Sequence, residues 1–272
     1  MLLYDQIQET KVFLQSRTHL TPQIGIILGS GLGRLTDAVD ISVSIPYAEI
    51  PHFPQSTVEG HAGRLIFGKL GGKPVLMMAG RFHYYEGYSA TEISFPVRVM
   101  KALGCETLLV SNAAGGMNSE YQIGDIVFIS DHINFNPEHP LRGTNDERLG
   151  PRFPDMSEPY SLHLIALAKE IAGQLDIDVK TGVYAGVQGP TFETRAEYQY
   201  FHGAGADLVG MSTVPEVIVA IHSSMKVFGA SIVTDIGIRE ELNKITHEEV
   251  LAAASEAAPR LAAIIQELVR VL

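Results

Sequence analysis

The chain has 272 residues, with 31 Asp plus Glu against 20 Lys plus Arg, a formal net charge of −11, 46% apolar residues and a single cysteine. That balance describes a folded, soluble protein with a substantial core; it excludes a disordered chain and argues against a broad nucleic-acid surface, though not against a small cationic pocket. Cys105 alone forms no intrachain disulfide, the N-terminal stretch lacks the basic-then-apolar order of a secretory signal, and no apolar run suits a membrane span, so a cytoplasmic protein without membrane contact is expected.

Tyr4 to Ser16 has helical spacing. Ile24 to Leu28 is then a short apolar run, polar on neither face, which suits a buried central strand feeding the glycine-rich turn Gly29-Ser30-Gly31-Leu32-Gly33. Arg64 to Leu70 and Lys73 to Ala79, joined by Gly71-Gly72, read as a hairpin. Ala90 to Leu103 is helical, with Pro96 expected to bend the helix or mark its first turn. Thr107 to Val110 forms a strand that runs into a small-residue loop, Ser111 to Gly116. Strand followed by small-residue loop thus occurs twice, and in open α/β sheets such loops at strand carboxyl ends form the ligand crevice.

Ile126 to Ser130 and Thr181 to Val187 are further strands, separated by the proline-rich stretch Asn134 to Tyr160 and a helix from Leu162 to Leu175. A structureless stretch of that length has a functional or interfacial reason in most compact folds. Glu193 to His202 and Val214 to Val227 are predicted helices, Phe228 to Val233 a strand, and a helix from near Thr246 carries the chain to its end. No repeat, linker or low-complexity tract divides the chain, so one α/β domain spanning 1–272 is expected.

Three strand-end loops carry groups suited to an anion. The Gly29–Gly33 turn allows close backbone approach and offers the Ser30 hydroxyl; it fits both an anion cradle and a plain strand-to-helix turn, and it lacks the Lys-Ser/Thr ending of a nucleotide P-loop. In an extended segment Arg81, His83 and Tyr85 share a face, which serves either a common pocket or the polar rim of a sheet edge. Asn112 offers an amide beside the Ala113 backbone donor. His52, His132, His139 and His202 do not form a metal-ligand pattern, and Ser30 has no nucleophile elbow around it, so neither a metal site nor serine catalysis is expected.

These blocks, together with Gly80-Arg81-Phe82-His83-Tyr84-Tyr85-Glu86-Gly87, Gly189-Pro190-Thr191-Phe192-Glu193-Thr194 and Val209-Gly210-Met211-Ser212-Thr213-Val214-Pro215-Glu216, resemble the trimeric, low-molecular-mass (class I) purine nucleoside phosphorylases over nearly the whole chain. The resemblance implies a nucleoside phosphorylase-like fold, a central mixed twisted β-sheet flanked by helices. It also implies reversible phosphorolysis of purine (deoxy)ribonucleosides, mainly inosine and guanosine, to free base and pentose 1-phosphate. No cofactor is implied; inorganic phosphate is the co-substrate. By the same resemblance Ser30, His61, Arg81, His83, Ala113 and Ser212 meet phosphate. Tyr85 and Met211 line the sugar with His247 near its 5′-hydroxyl, Phe192, Glu193 and Asp235 attend the base, and Asn112 belongs to the nucleoside site. Phe153 is the residue lent to a neighbouring subunit of a homotrimer. His83, Glu193 and Asp235 are the expected catalytic groups. For His247 a solvent-facing helix position, and for Met211 simple core filling, are the competing readings.

The chemistry suits these residue types. Cleaving the glycosidic bond builds positive charge on the sugar and negative charge on the purine, and a phosphate placed below C1′ stabilises the first and then attacks it, so no protein nucleophile is needed. One position departs from the pattern. Enzymes of this class that act on 6-oxopurines usually carry asparagine where this chain has Asp235. An amide donates to N7 and O6, whereas an ionised carboxylate only accepts. Either Asp235 holds a proton and acts as a general acid at N7, or specificity has broadened or moved toward adenosine or methylthioadenosine. A nucleoside hydrolase or a noncatalytic purine-binding trimer are the alternatives in other classes; the first lacks its calcium-binding aspartates, and the second gives Arg81, His83, Ser30 and Ser212 no reason to converge.

Overall fold

The computed structural model describes residues 1–56, 62–238 and 246–272. Its strands are β1 (Ile24–Leu28), β2 (Asp40–Pro46), β3 (Arg64–Leu70), β4 (Lys73–Ala79), β5 (Thr107–Gly116), β6 (Ile126–Asn134), β7 (Lys180–Gly186), β8 (Leu208–Gly210) and β9 (Lys226–Ile236). Its helices are α1 (Leu3–Arg17), α2 (Ala90–Leu103), α3 (Leu162–Gln174), α4 (Arg195–Gly203), α5 (Val214–His222) and α6 (His247–Val271).

The strands form one mixed nine-stranded sheet in the order β2-β3-β4-β1-β5-β8-β7-β6-β9. β1, buried along its whole length, lies between β4 and β5, parallel to both. β3 and β4 make the expected antiparallel hairpin, and β2 extends it. β9 pairs with β6 and also, in parallel, with β5, so β5, β8, β7, β6 and β9 close on themselves. Helices cover the sheet: α2 packs on α1 and α5, and α6 on α3 and β9.

Several elements differ from the sequence expectation. Ser111 to Gly116 is strand, not loop, because β9 pairs with β5 along its full length through a shift in register at Ala114/Gly115. β2 and β8 were not expected: β2 buries only Ile45 fully, and β8 has only three residues. Helix α4 begins at Arg195, because Thr194 caps it with a reciprocal box to Glu197, which leaves Glu193 outside the helix. The helix α5 stops at His222, and β9 begins earlier than expected, at Lys226. Pro96 lies inside α2, well past its first turn, and Ser89 caps that helix. Among the described residues no helix is long and apolar enough to cross a membrane.

The course of β5 creates the cleft. On one side its first residues, Thr107 to Val110, pair with β1, and its last, Gly115 and Gly116, pair with β8. Between the two contacts Ser111 to Ala114 has no sheet partner on that side. A strand order that parts in this way opens a crevice at the carboxyl end of β1, where a ligand can sit.

Candidate active site

Gly29 and Ser30 leave β1 into this opening. Gly29 must be glycine: a Cβ there would lie 2.6 Å from the Ser111 carbonyl oxygen and 2.8 Å from the Asn112 Cα. That close approach of β1 to β5 puts Ser30 beside Asn112, Ala113, Ala114 and Gly115, all of which line one half-open cleft. Arg81, His83 and Tyr85 enter from the segment after β4, Met211 and Ser212 from the turn after β8, and Thr234 and Asp235 from the end of β9. Phe192 and Glu193 enter from before α4, and His247 from the first turn of α6.

The structure therefore gathers Ser30, Arg81, His83, Tyr85, Asn112, Ala113, Phe192, Glu193, Met211, Ser212, Asp235 and His247 into one cavity. It does not bring Phe153 there: that ring is 87% exposed, with the Arg152 guanidinium 5.7 Å above it. His61 lies outside the described residues.

Two side chains with cationic character face the anion end, and each is held by a carboxylate. Arg81 is buried; its Nε and Nη2 donate to Glu216 at 3.2 and 2.9 Å, and its Nη1 donates to the Ser111 carbonyl at 2.9 Å and to Ser212 Oγ at 3.0 Å. His83 is buried too, with Nδ1 3.0 Å from Glu86 Oε1 and its ring stacked on Tyr85 at 4.7 Å between centroids. Burial holds the His83 imidazolium below the ordinary histidine range, with Glu86 working against that and Arg81 with it. Burial likewise pushes the Tyr85 phenol up to about 12, so it stays a neutral hydroxyl.

The turn that presents Ser212 is strained. Thr213 has φ +71° and ψ −53°, and the Val214 N–H donates to the Ser212 carbonyl at 2.7 Å, the geometry of a γ-turn of the rare kind. A β-branched residue there costs on the order of 1–3 kcal/mol, and such strain concentrates at working sites. Asn112 helps to hold it: Nδ2 donates to Thr213 Oγ1 at 2.9 Å. The Asn112 Oδ1 is buried with no hydrogen-bond partner among the described residues. A buried acceptor left this way in a cleft wall suits a hydroxyl of a bound molecule.

At the far end lie two acids, Glu193 and Asp235, in the same cavity. The Tyr198 hydroxyl donates to Asp235 Oδ2 at 3.1 Å, and Thr234 Oγ1 donates to Asp235 Oδ1 at 3.2 Å. Burial, with the Asp235 and Glu193 charges beside it, pushes the Tyr198 phenol well above its ordinary range. Burial raises the Glu193 carboxyl above the usual carboxylate range, and the nearby Asp235 and Glu197 charges add to the effect.

Sequence reading missed three of these participants. Glu216 stands within the quoted Val209–Glu216 block, and Glu86 within the Gly80–Gly87 block, but neither was assigned a role; Tyr198 was passed over as a helix residue. The signal for Glu216 is a lone acid at the head of an otherwise apolar helix.

The model of the phosphorylase superfamily matches residues 23–270. Purine nucleoside phosphorylase 1 of Geobacillus stearothermophilus is 49% identical over 264 residues, covering 97% of this chain and 96% of its own. The purine nucleoside phosphorylase of Bos taurus is 49% identical over 265 residues, covering 95% and 92%. The crystal structure of a Schistosoma purine nucleoside phosphorylase in complex with hypoxanthine superposes with a TM-score of 0.94 at 42% identity, covering 98% of this chain and 97% of that one.

Proposed function

The chain belongs to the phosphorylase superfamily, among its purine nucleoside phosphorylases, and from that premise we propose how this cleft works and on what. The enzyme carries out reversible phosphorolysis of purine (deoxy)ribonucleosides, with inosine and guanosine as its main substrates and inorganic phosphate as co-substrate; no cofactor takes part. The convergence on one cleft of an anion end built on Arg81 and Ser212 and an acid end built on Glu193 and Asp235 carries this reading.

Phosphate is held by Ser30, Arg81, His83, the Ala113 N–H and Ser212. Both cationic groups already have a carboxylate partner, so the dianion gains from directed donors more than from net charge. Binding stays weak enough for either product to leave. The sugar lies between Tyr85, Asn112, Met211 and His247. A phosphate oxygen forms its bond to C1′ as the C1′–N9 bond breaks, and the bonding electrons pass into the purine ring. Alignment of the two reactants supplies much of the rate. Ionised Glu193 accepts from the N1–H of a 6-oxopurine, and Asp235, protonated, donates toward N7 and O6. Schistosoma relatives are solved with hypoxanthine and with inosine, which supports a 6-oxopurine substrate, and also with adenosine, which supports a 6-aminopurine in the same kind of site.

One observation favours a second reading, use of adenosine or a related 6-aminopurine: Asp235 Oδ2 accepts from the Tyr198 hydroxyl, as suits an ionised carboxylate able to accept from an amino group. The chain forms a single domain over 1–272 and works in the cytoplasm as a homotrimer, Phe153 completing a neighbour's nucleoside pocket. The exposure of that ring, on a proline-rich segment of its own chain, supports the arrangement.

The test is the initial rate of base release from inosine, guanosine and adenosine in parallel, with and without saturating phosphate. Strict phosphate dependence with inosine and guanosine ahead is expected. Adenosine ahead of both overturns the preference, and release without phosphate overturns the reaction.

A further inference from the structure

The Tyr198 side chain occupies a prepared place. It is buried against Met117, Ala185, Phe201 and Val209, and a Cβ at Gly237 would strike its ring at 2.1 Å, so glycine is required there for the ring to fit. Its hydroxyl donates to Asp235 Oδ2 at the end of β9, and Glu193, before α4, lines the same cavity as Asp235 and acts on that hydroxyl.

A phenol has one proton to donate and lone pairs to accept with. Between two ionised carboxylates it satisfies only one fully, and the two negative charges repel in a buried site. If one carboxyl keeps a proton, the repulsion is relieved: the phenol donates to the ionised acid, and the protonated acid donates to the phenol in the empty cleft or to the base when one is bound. We propose that Glu193, Tyr198 and Asp235 hold one proton in common, and that Tyr198, as a positioning residue, lets it rest on either acid to match the base that is bound.

This rests on the purine nucleoside reading above and deepens its specificity. With a 6-oxopurine, Glu193 is ionised and accepts from N1–H, Tyr198 donates to Glu193, and Asp235 carries the proton toward N7 and O6. With a 6-aminopurine, Asp235 is ionised and accepts from the amino group, Tyr198 donates to Asp235, and Glu193 carries the proton toward N1. No proton is gained or lost between the two arrangements. Among the described residues the charged groups acting on Glu193 are Asp235 and Glu197, and those acting on Tyr198 are Asp235 and Glu193; all are acidic. Thr234 is the other donor to Asp235, and His247 lines the same cavity.

The experiment measures kcat/KM for inosine and for adenosine at saturating phosphate from pH 5 to 8.5. The wild-type enzyme turns over both, and both trace the same bell, one limb for a second proton gained and the other for the shared proton lost. Tyr198→Phe keeps the ring in its place and narrows the bell by about one pH unit or more for both substrates, because the bonds that hold the two titrations apart are gone. Asp235→Asn reduces adenosine turnover at least tenfold relative to inosine and removes the effect of Tyr198→Phe when the two are combined. Bells that differ between the two wild-type substrates, or a Tyr198→Phe bell that coincides with that of the wild type, overturn the proposal. The wild-type comparison decides alone if the variant does not fold. Turnover of inosine without turnover of adenosine overturns the proposal alone, whereas absence of phosphate-dependent turnover on both substrates would overturn the phosphorylase reading, a separate failure.

Discussion

Arg81 and Glu216 meet edge to edge beneath the cleft, with Arg81 only 1% exposed and two hydrogen bonds joining guanidinium to carboxylate. They come from segments 135 positions apart, the one after β4 and the first turn of α5, so the pair ties the anion end of the cleft to the helix behind it. A buried ion pair adds little net stability over a well-packed apolar pair, but breaking it strands the surviving charge.

Glu216→Ala therefore lowers stability by about 3–5 kcal/mol in urea unfolding. Glu216→Gln, which keeps an acceptor of the same shape, costs less and raises KM for phosphate more than KM for nucleoside, because the guanidinium loses its anchor rather than its charge. A urea midpoint for Glu216→Ala equal to that of the wild type would show that Arg81 finds other partners.

His83 predicts a pH effect on anion binding. A ring whose Nδ1–H goes to Glu86 donates from its other nitrogen only as the imidazolium, and burial keeps that form below the ordinary histidine range in the empty cleft. A depressed pKa means the ring takes up its proton only as pH falls. Competitive inhibition by sulfate, whose charge stays constant over this range, should strengthen as pH falls from 8 to 5.5. In His83→Gln the same titration should be flat, and a parallel pH slope in both proteins would remove His83 from the anion site.

Asn112 predicts a split between stability and binding. Substitution by Ala loses the Nδ2 bond to Thr213, worth about 0.5–1.5 kcal/mol, but also removes the orphaned Oδ1, whose burial costs a similar amount. The ligand-free protein should thus unfold within about 1 kcal/mol of the wild type, while KM for inosine rises about fivefold as a sugar hydroxyl loses its acceptor. A large loss of stability with KM unchanged would make Asn112 a brace for the Thr213 turn and nothing more.

How much of this was legible in the sequence follows from how local each signal is. β1, the β3–β4 hairpin, α2 and α6 announce themselves through apolar runs, paired glycines and capping residues, all set within a few positions of one another. The continuation of β5 through Ser111–Gly116 does not, because small residues read as loop until β9 pairs with them from more than a hundred positions away. In the cleft the same division holds. Ser30, Arg81, His83 and Ser212 stand in distinctive local blocks. Glu216 and Tyr198 gain meaning only from partners that the fold brings to them, across 135 and 37 positions respectively.

Phe153 gives the test of assembly. Its ring is exposed on its own chain, as a ring lent to a neighbour's nucleoside site in the proposed trimer would be. Light scattering should give three times the chain mass, and Phe153→Ala should raise KM for inosine about tenfold, equivalent to about 1.4 kcal/mol. Glu193→Ala should lose most turnover while folding normally. In trimers formed from both variants, a site with Glu193 intact can receive Phe153 from a neighbour that carries it, and that site is of wild-type composition. Mixed and refolded together, the two variants should therefore show more inosine turnover at low substrate than either alone. If both are trimeric and the mixture shows only their average, Phe153 serves no neighbouring site, and the proline-rich segment must be exposed for another reason.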